Sequence, residues 1–517
     1  MWHNVVVTAE SLFLIYVAFL AGDLLSRLMH IEWAGGLRRT VYTIILGYGV
    51  ISSAGVFLAF LGAFTFLYLN LFFITVVMVA LPTVSAHVQR LVMFAWSRGG
   101  VTTLFRCVFR EYTWLKILLA FWLLVNFAFV FVPVTGHDTK MYRMPLMLEL
   151  VREGTFTFTS EVTEYLWMPL LAEITYAIPM VAFGNSTAPF VFQLLQYSAL
   201  VLLLGLIYTF LRRRIAHPRL ALIGLFLVLV IFDLQREIFH GGYTDVFVYL
   251  FGLASLLLVI DYCTLPHPRR GELILSAILL GFALSVKHTA GFIALANIIF
   301  VLAAFARERL PFAQQLKWLS AYALIALVIA GFWYAKNGYV FRDPFYIGGL
   351  SLGETIIAER TVSNMFLFPF HRFAIVGNKD SSSRLIVLGY FVFIYAIFLY
   401  LLLFDRKKIA FEHILFFVFS HLHLYLIFFK SHHTRYFIPA LIVLPILVIL
   451  LTDRLLHYRS VLFSVGTGQK LSRITRIALG VLLVLLFVGN IRYFYVKFLY
   501  KTGFLTEQEY IIEVGGL

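Results

Sequence analysis

Apolar residues in this chain come in runs of about 17–22 residues, set apart by short polar and mostly basic intervals. A run of that length fits a helix crossing the roughly 30 Å hydrocarbon layer, and it lacks the ten-residue alternation of barrel strands. Spans are predicted at about 9–26, 40–61, 66–86, 114–132, 188–211, 219–234, 246–263, 272–286, 288–305, 316–335, 385–404, 412–429, 436–453 and 476–491. The stretch from Glu272 to Phe305 is too long for one crossing and is interrupted at Ser285-Val286-Lys287-His288, so it reads as two helices. Backbone groups in lipid must be satisfied within the spanning segment itself. The predicted fold class is therefore all-α, a polytopic integral membrane helix bundle of about 14 transmembrane helices.

Lys and Arg collect in cytoplasmic loops. Arg38 and Arg39 follow the first span, and Arg90, Arg98, Arg106 and Arg110 the third. Arg212, Arg213 and Arg214 follow the fifth, Arg269 and Arg270 the seventh, and Arg307 and Arg309 the ninth. Arg406, Lys407 and Lys408 follow the eleventh, and Arg454, Arg459, Lys470 and Arg473 the thirteenth. Every cluster follows an odd-numbered span, which predicts that both termini lie outside. Two outside loops are long, at about 133–187 and 336–384. In the first, Met141–Glu153 and Met168–Phe183 have the spacing of interfacial helices, with Pro145 tolerated in a first turn. The chain divides into three N-terminal transmembrane helices (1–113), a core carrying both long loops (114–456), and a last helix with an outside tail (457–517).

Composition adds exclusions. Only 13% of residues are charged and 62% are hydrophobic, against about 25% charged in a soluble domain. A net charge of +15 on a soluble protein would suggest nucleic acid, but basic cytoplasmic loops account for it here, and no nucleic-acid partner is expected. Cys107 and Cys263 fall near the cytoplasmic side with no metal-ligand spacing, which argues against a structural disulfide. The first apolar run lacks a basic flank and a small-residue cleavage site, so it reads as a retained helix.

This topology gathers the unusual polar residues on the outside edge. They are Thr135–Lys140 with His137 and Asp138, Phe239–Asp245, Lys287-His288-Thr289, Trp333–Asn337 leading to Arg342–Tyr346, and Lys430–Tyr436 with His432, His433 and Arg435. Ionisable groups at a membrane edge are costly unless paired or used. Each group has a plainer reading. Asp138 and Asp245 are candidate helix N-caps, Lys287-His288 a solvated turn, and the His432–Arg435 cations snorkelling side chains. Trp333, Tyr334 and Tyr436 read equally as interfacial aromatics. The argument for function is their joint placement on one face.

Four of these segments resemble the GT-C glycosyltransferases, and within them the protein O-mannosyltransferase and aminoarabinose-transferase-like branch. His137-Asp138-Thr139-Lys140-Met141-Tyr142-Arg143-Met144-Pro145 is similar to a first-loop pattern in which an acid precedes a Tyr and a short juxtamembrane helix. Gly281–Ala290 is similar to a Gly-x-Ala-x-x-x-Lys-(aromatic or His)-Thr-Ala segment. Trp333–Asn337 with Asp343-Pro344-Phe345-Tyr346 resembles a Trp-Tyr-x-x-Asn…Asn-Pro-Phe-Tyr segment, and Arg435-Tyr436-Phe437-Ile438-Pro439 an Arg-Tyr-x-x-Pro segment. The resemblance runs from about Phe131 to Pro439. It implies a GT-C-like fold and a polyprenyl-phosphate-linked sugar donor. It also implies a lipid, glycan or protein acceptor, contact with membrane lipids, and a site on the outer face of a membrane such as the bacterial inner membrane. Family members commonly carry a paired acid in the first loop. His137 stands beside Asp138 here, so a divalent metal is not firmly implied and no metal ligands are assigned. Many members start with one span before that loop, whereas three extra spans come first here.

A sugar on a phosphate has a good leaving group, so transfer needs a base for the acceptor and cations for the departing phosphate. Asp138 is the expected base, with Asp245 a second carboxylate that orients a cation or binds a sugar hydroxyl, in preference to holding a metal. Lys287, His288, His432, His433, Arg435 and Arg372 are expected at the donor phosphate, with Arg236 behind them. His137, Tyr142, Arg143, Glu164, Lys336, Asn337 and Tyr436 are expected to contact substrate. One base and direct displacement predict inversion. The second long loop, with apolar Met365–Phe370, is a candidate lid. A flippase or transporter, a glycan polymerase or ligase, and a non-catalytic assembly subunit are the competing readings. Few ionisable residues fall at span centres, which disfavours a polar path through the bilayer.

Overall fold

The computed structural model describes residues 2–31, 36–96, 112–128, 130–131, 134, 136–156, 168–184, 188–229, 231, 234, 241–265, 269–344, 381–404, 409–430, 434–462 and a few positions between 495 and 509. Among them every regular element is helical. Seven helices are long and apolar enough to cross a membrane, and a bent pair would make an eighth. The chain is an integral, multi-pass membrane protein. The span predicted at 476–491 lies outside the described residues.

The residues form two compact units. The first comprises Met1–Val162, Leu171–Gly205 and Gly241–Tyr243. Its helices are α1 (Trp2–Leu28), α2 (Gly36–Phe60), α3 (Phe66–Val79), α4 (Leu81–Trp96), α5 (Thr113–Ala128), α6 (Met144–Glu153), α7 (Leu171–Phe183) and the first part of α8 (Ala188–Arg214). Helices α1 and α2 cross with no room for side chains at two glycines. A Cβ on Gly22 would lie 1.8 Å from the carbonyl oxygen of Thr43, and one on Gly47 would lie 1.6 Å from that of Ala18. Lipid supplies no hydrophobic drive between helices, so close backbone approach over small residues holds such a pair.

Two expectations change here. The single span predicted at 66–86 is two helices bent by 67°. Pro82 lacks an N–H and its ring crowds the carbonyl four residues earlier, which breaks the ladder where α4 begins. Met168–Phe183, expected as an amphipathic stretch, forms α7, in which every residue from Leu171 to Ala182 is buried. Its few polar groups, Glu173, Thr175 and Tyr176, are matched by polar partners, so no wet face is needed.

The second unit comprises Thr163–Leu170, Leu206–His240 and Thr244–Leu517. It holds the rest of α8, then α9 (Pro218–Leu229), α10 (Asp245–Thr264), α11 (Arg270–Val286), α12 (Gly291–Arg307), α13 (Phe312–Val340), α14 (Ser381–Phe404), α15 (Phe411–Lys430) and α16 (Ile438–Leu462). Helix α10 is the axis, buried from Asp245 to Cys263. It packs against α11, α12, α15 and α16. A polar knot ties four helices. Asn297 Nδ2 donates to Ser255 Oγ (2.9 Å) and to Tyr322 OH (3.0 Å), while Ser276 Oγ lies 2.8 Å from Ser255 Oγ and 3.0 Å from Tyr322 OH. Such contacts replace the hydrocarbon partners that polar groups cannot have.

The break expected near Ser285–His288 is present. Lys287 is extended (φ −163°, ψ 142°) between α11 and a 3-10 turn over His288–Ala290. Helix α13 runs five residues beyond the predicted end of its span, to Val340, and so takes Lys336 and Asn337 out of the loop. No proline interrupts the helix before Pro344, which disfavours helical backbone at Asp343.

Candidate functional site

In the first unit the site begins where the backbone leaves ordinary helical geometry. His137 and Asp138 lead into a π-helical turn over Thr139–Arg143, and α6 follows directly. Such turns are uncommon and concentrate at functional positions. Asp138 is already helical (φ −57°, ψ −35°) and its side chain caps nothing, so the N-cap reading fails. Instead its half-buried carboxylate accepts a hydrogen bond from Tyr142 OH at 3.2 Å.

A glycine strap holds this turn. Thr139 Oγ1 donates to the carbonyl of Gly241 at 2.9 Å. Gly242 has a left-handed backbone (φ +74°), and a Cβ there would lie 2.3 Å from Thr139 Cγ2, so only glycine fits. The Gly242 N–H donates to Gln196 Oε1 at 2.8 Å. Gln196 Nε2 and Tyr176 OH donate to the carbonyl of Tyr243 at 3.2 and 2.9 Å. Side chains from α7 and α8 thus fasten the strap under the residue next to Asp138. Arg143 is buried, pairs with Glu173 on α7, and holds its guanidinium 5.2 Å from the Tyr142 ring. His137 is exposed.

The second unit brings together a different set. Asp245 is the first residue of α10, and its Oδ1 accepts from Lys287 Nζ at 2.7 Å, with the two side chains 2% and 12% exposed. The partner of this carboxylate is thus a cation, Lys287. Lys287 Nζ also lies 4.6 Å from the centre of the Tyr436 ring, and the Arg435 guanidinium lies 5.3 Å from it. Lys287 and Arg435 thus stand at one ring, two cations of the kind suited to an anion. The backbone carrying Arg435 and Tyr436 is a 3-10 turn over Thr434–Phe437. It is anchored at consecutive carbonyls. Tyr249 OH donates to that of Arg435 at 2.8 Å, and His423 Nε2 lies 3.0 Å from that of Tyr436. A carbonyl only accepts, so Nε2 carries the proton.

Three other expected residues make their own contacts in this unit. The His288 ring stands edge-on to Tyr334 of α13 at 5.5 Å between centres. Lys336 is buried, with Nζ 3.5 Å from the carbonyl of Met168 and 5.4 Å from the Trp333 ring. Asn337 is fully buried, and Trp333 is a core residue rather than an interfacial one. Glu164, Arg236, Arg372, His432, His433 and Met365–Phe370 lie outside the described residues. Among the described residues no three His, Cys, Asp or Glu side chains are grouped as metal ligands.

Sequence reasoning missed the parts of Glu173, Gln196, Tyr176, Tyr249 and His423. Glu173 had a signal, since a carboxylate inside an otherwise apolar buried run requires a cation.

The fold has relatives of known structure. The chain superposes on ArnT from Cupriavidus metallidurans in the apo state with a TM-score of 0.50 and 16% identity, over 78% of this chain and 74% of that one. On the same protein bound to undecaprenyl phosphate the TM-score is 0.49 and the identity 15%, over 78% and 75%. No protein-family model matches the chain, and no curated protein matches it. The apo-state superposition shows an ArnT-like fold, the polytopic helical fold that the four sequence segments suggested.

Proposed function

We propose that this ArnT-like chain is a membrane glycosyltransferase. It moves a sugar from a polyprenyl-phosphate-linked donor to a hydroxyl or amine acceptor on the non-cytoplasmic face. The observation that carries the reading is Asp138. It is a half-buried carboxylate, oriented by Tyr142 OH, at the head of a π turn whose next residue is strapped to Gly241 and Gly242. A base must be held still at hydrogen-bond reach of its proton, and these contacts hold Asp138 still.

In this mechanism the acceptor oxygen or nitrogen attacks the anomeric carbon while its proton passes to the Asp138 carboxylate. The bond from that carbon to the phosphate oxygen breaks, and polyprenyl phosphate leaves with the electron pair. Direct displacement inverts the anomeric centre. From the sequence, Lys287 and Arg435 are the cations expected to stabilise the charge gathering on the phosphate, Lys as a point charge and Arg through its planar fork. Asp245 orients Lys287 and Tyr436 lies against both cations. No step requires a metal.

The test is Asp138→Asn assayed with labelled polyprenyl-phosphate sugars in proteoliposomes. Loss of about 10²–10⁴-fold in sugar transfer and in released polyprenyl phosphate is expected. Full turnover by the variant would remove the base assignment. Sugar-lipid movement across the bilayer by the unaltered protein, with no free polyprenyl phosphate released, would replace transferase with flippase.

A further inference from the structure

The reaction proposed above leaves α1–α4 without a task, yet they build one well-defined polar cluster. Near the C-terminal end of α1, the Asp23 side chain is 3% exposed and is shared by two arginines. Arg27, one turn later on α1, reaches it at 2.6 Å, and Arg39, in the first turn of α2, reaches it at 2.8 Å. Thr83 of α4 accepts from Arg27 Nη2 at 2.6 Å and donates to Asp23 Oδ2 at 3.4 Å. One buried carboxylate thus sets the position of two guanidinium groups drawn from two helices.

The acid is consumed and the cations are not. Two guanidinium groups against one carboxylate leave +1. Each reaches its partners through Nη2, and the side chains of Arg27 and Arg39 are 53% and 49% exposed. A guanidinium carries five N–H donors in a rigid fork matched to phosphate oxygens. Donors therefore remain on both residues for an external anion. The same helix ends expose Leu28, Leu37 and Leu81. Large apolar side chains beside half-exposed arginines mark the level where headgroups meet acyl chains, and basic sites between helices at that level take anionic lipid headgroups.

We propose that Arg27 and Arg39, positioned by Asp23 and Thr83, bind the phosphate of an anionic phospholipid. The lipid's chains run along the apolar surfaces of the N-terminal helices. The site is independent of the transfer reaction and gives the three extra N-terminal spans a binding role.

Delipidated full-length protein in mild detergent can be titrated with phosphatidylglycerol, with phosphatidylcholine of the same chains, and with inorganic phosphate, each followed by native mass spectrometry. Phosphatidylglycerol is expected to bind more tightly than phosphatidylcholine. The Arg27→Gln/Arg39→Gln protein should lose that preference, with roughly tenfold or weaker binding. If that protein does not fold, Arg27→Lys/Arg39→Lys is read in its place. It keeps the charge opposite Asp23 but removes the fork, and should lose part of the preference. Equal binding of the two lipids overturns the proposal, as does an unchanged preference in the variant read. Displacement of the lipid by inorganic phosphate at comparable concentration would assign the site to free phosphate instead.

Discussion

His423 makes a sharp test of how the cationic cluster is held. Its side chain is buried, its ring stacks on Phe419 (5.5 Å between centres), and its Nε2 donates to the carbonyl of Tyr436 at 3.0 Å. His423→Leu keeps much of the volume and removes the donor. The part-buried carbonyl of Tyr436 loses that partner, which costs about 1–3 kcal/mol. The strain falls on a four-residue turn that Tyr249 OH also anchors, at the carbonyl of Arg435. Displacing that turn moves Arg435 and the ring beneath Lys287. If the cluster binds the donor phosphate, most of the cost appears in donor binding, a rise in KM of roughly 5- to 100-fold at 1.4 kcal/mol per tenfold. His423→Gln retains an N–H donor of similar reach and should recover part of the loss. Steady-state kinetics with the sugar donor, beside thermal unfolding in detergent, separates the cases. An unchanged donor KM in the Leu variant would refute the positioning argument. So would a defect that tracks the unfolding temperature alone and is not recovered by Gln.

Two further outcomes follow from packing and charge. Asp245→Ala should destabilise the protein by about 3–5 kcal/mol, because it strands a largely buried Lys287, while Asp245→Ala/Lys287→Met should regain most of the unfolding temperature without regaining turnover. A double variant as unstable as the single would show that the pair does not neutralise a stranded charge. Gly47→Ala places a Cβ 1.6 Å from a backbone oxygen of α1 and should cost about 1–3 kcal/mol. Gly271→Ala, where a Cβ meets nothing within 4 Å, serves as its control, and equal unfolding temperatures would refute the close α1–α2 crossing.

The helices were legible because lipid imposes one simple requirement, an apolar run long enough to cross, and the chain meets it repeatedly. The break at Lys287 was legible for the same reason, since a lysine and a histidine in an overlong run need an exit from hydrocarbon. What stayed hidden is pairing at a distance. Asp245 and Lys287 are 42 positions apart and Arg143 and Glu173 are 30 apart, and no periodicity links them. The end of α13 differs from the predicted one because the polarity of Lys336 and Asn337 reads as a loop signal, whereas the fold continues the helix and buries both side chains. The bend before α4 had a local cause, Pro82, which the hydropathy of the run concealed. At Asp138 the residue was visible in the sequence but its setting was not, because the π turn depends on Thr139 meeting two glycines about a hundred positions later.

Helix α10 carries an acid near each end. Asp245 is held by Lys287, and Asp261 by Arg213 and Arg214 at 2.7 and 2.6 Å. Sixteen residues separate the two, about 24 Å at 1.5 Å per residue. A rod riveted at both tips cannot slide or spin, because either movement would drag a carboxylate away from its cation and into oil. In the proposed reaction, a rearrangement that admits a long lipid tail would therefore come from the segments around α10, with α10 itself as the fixed post.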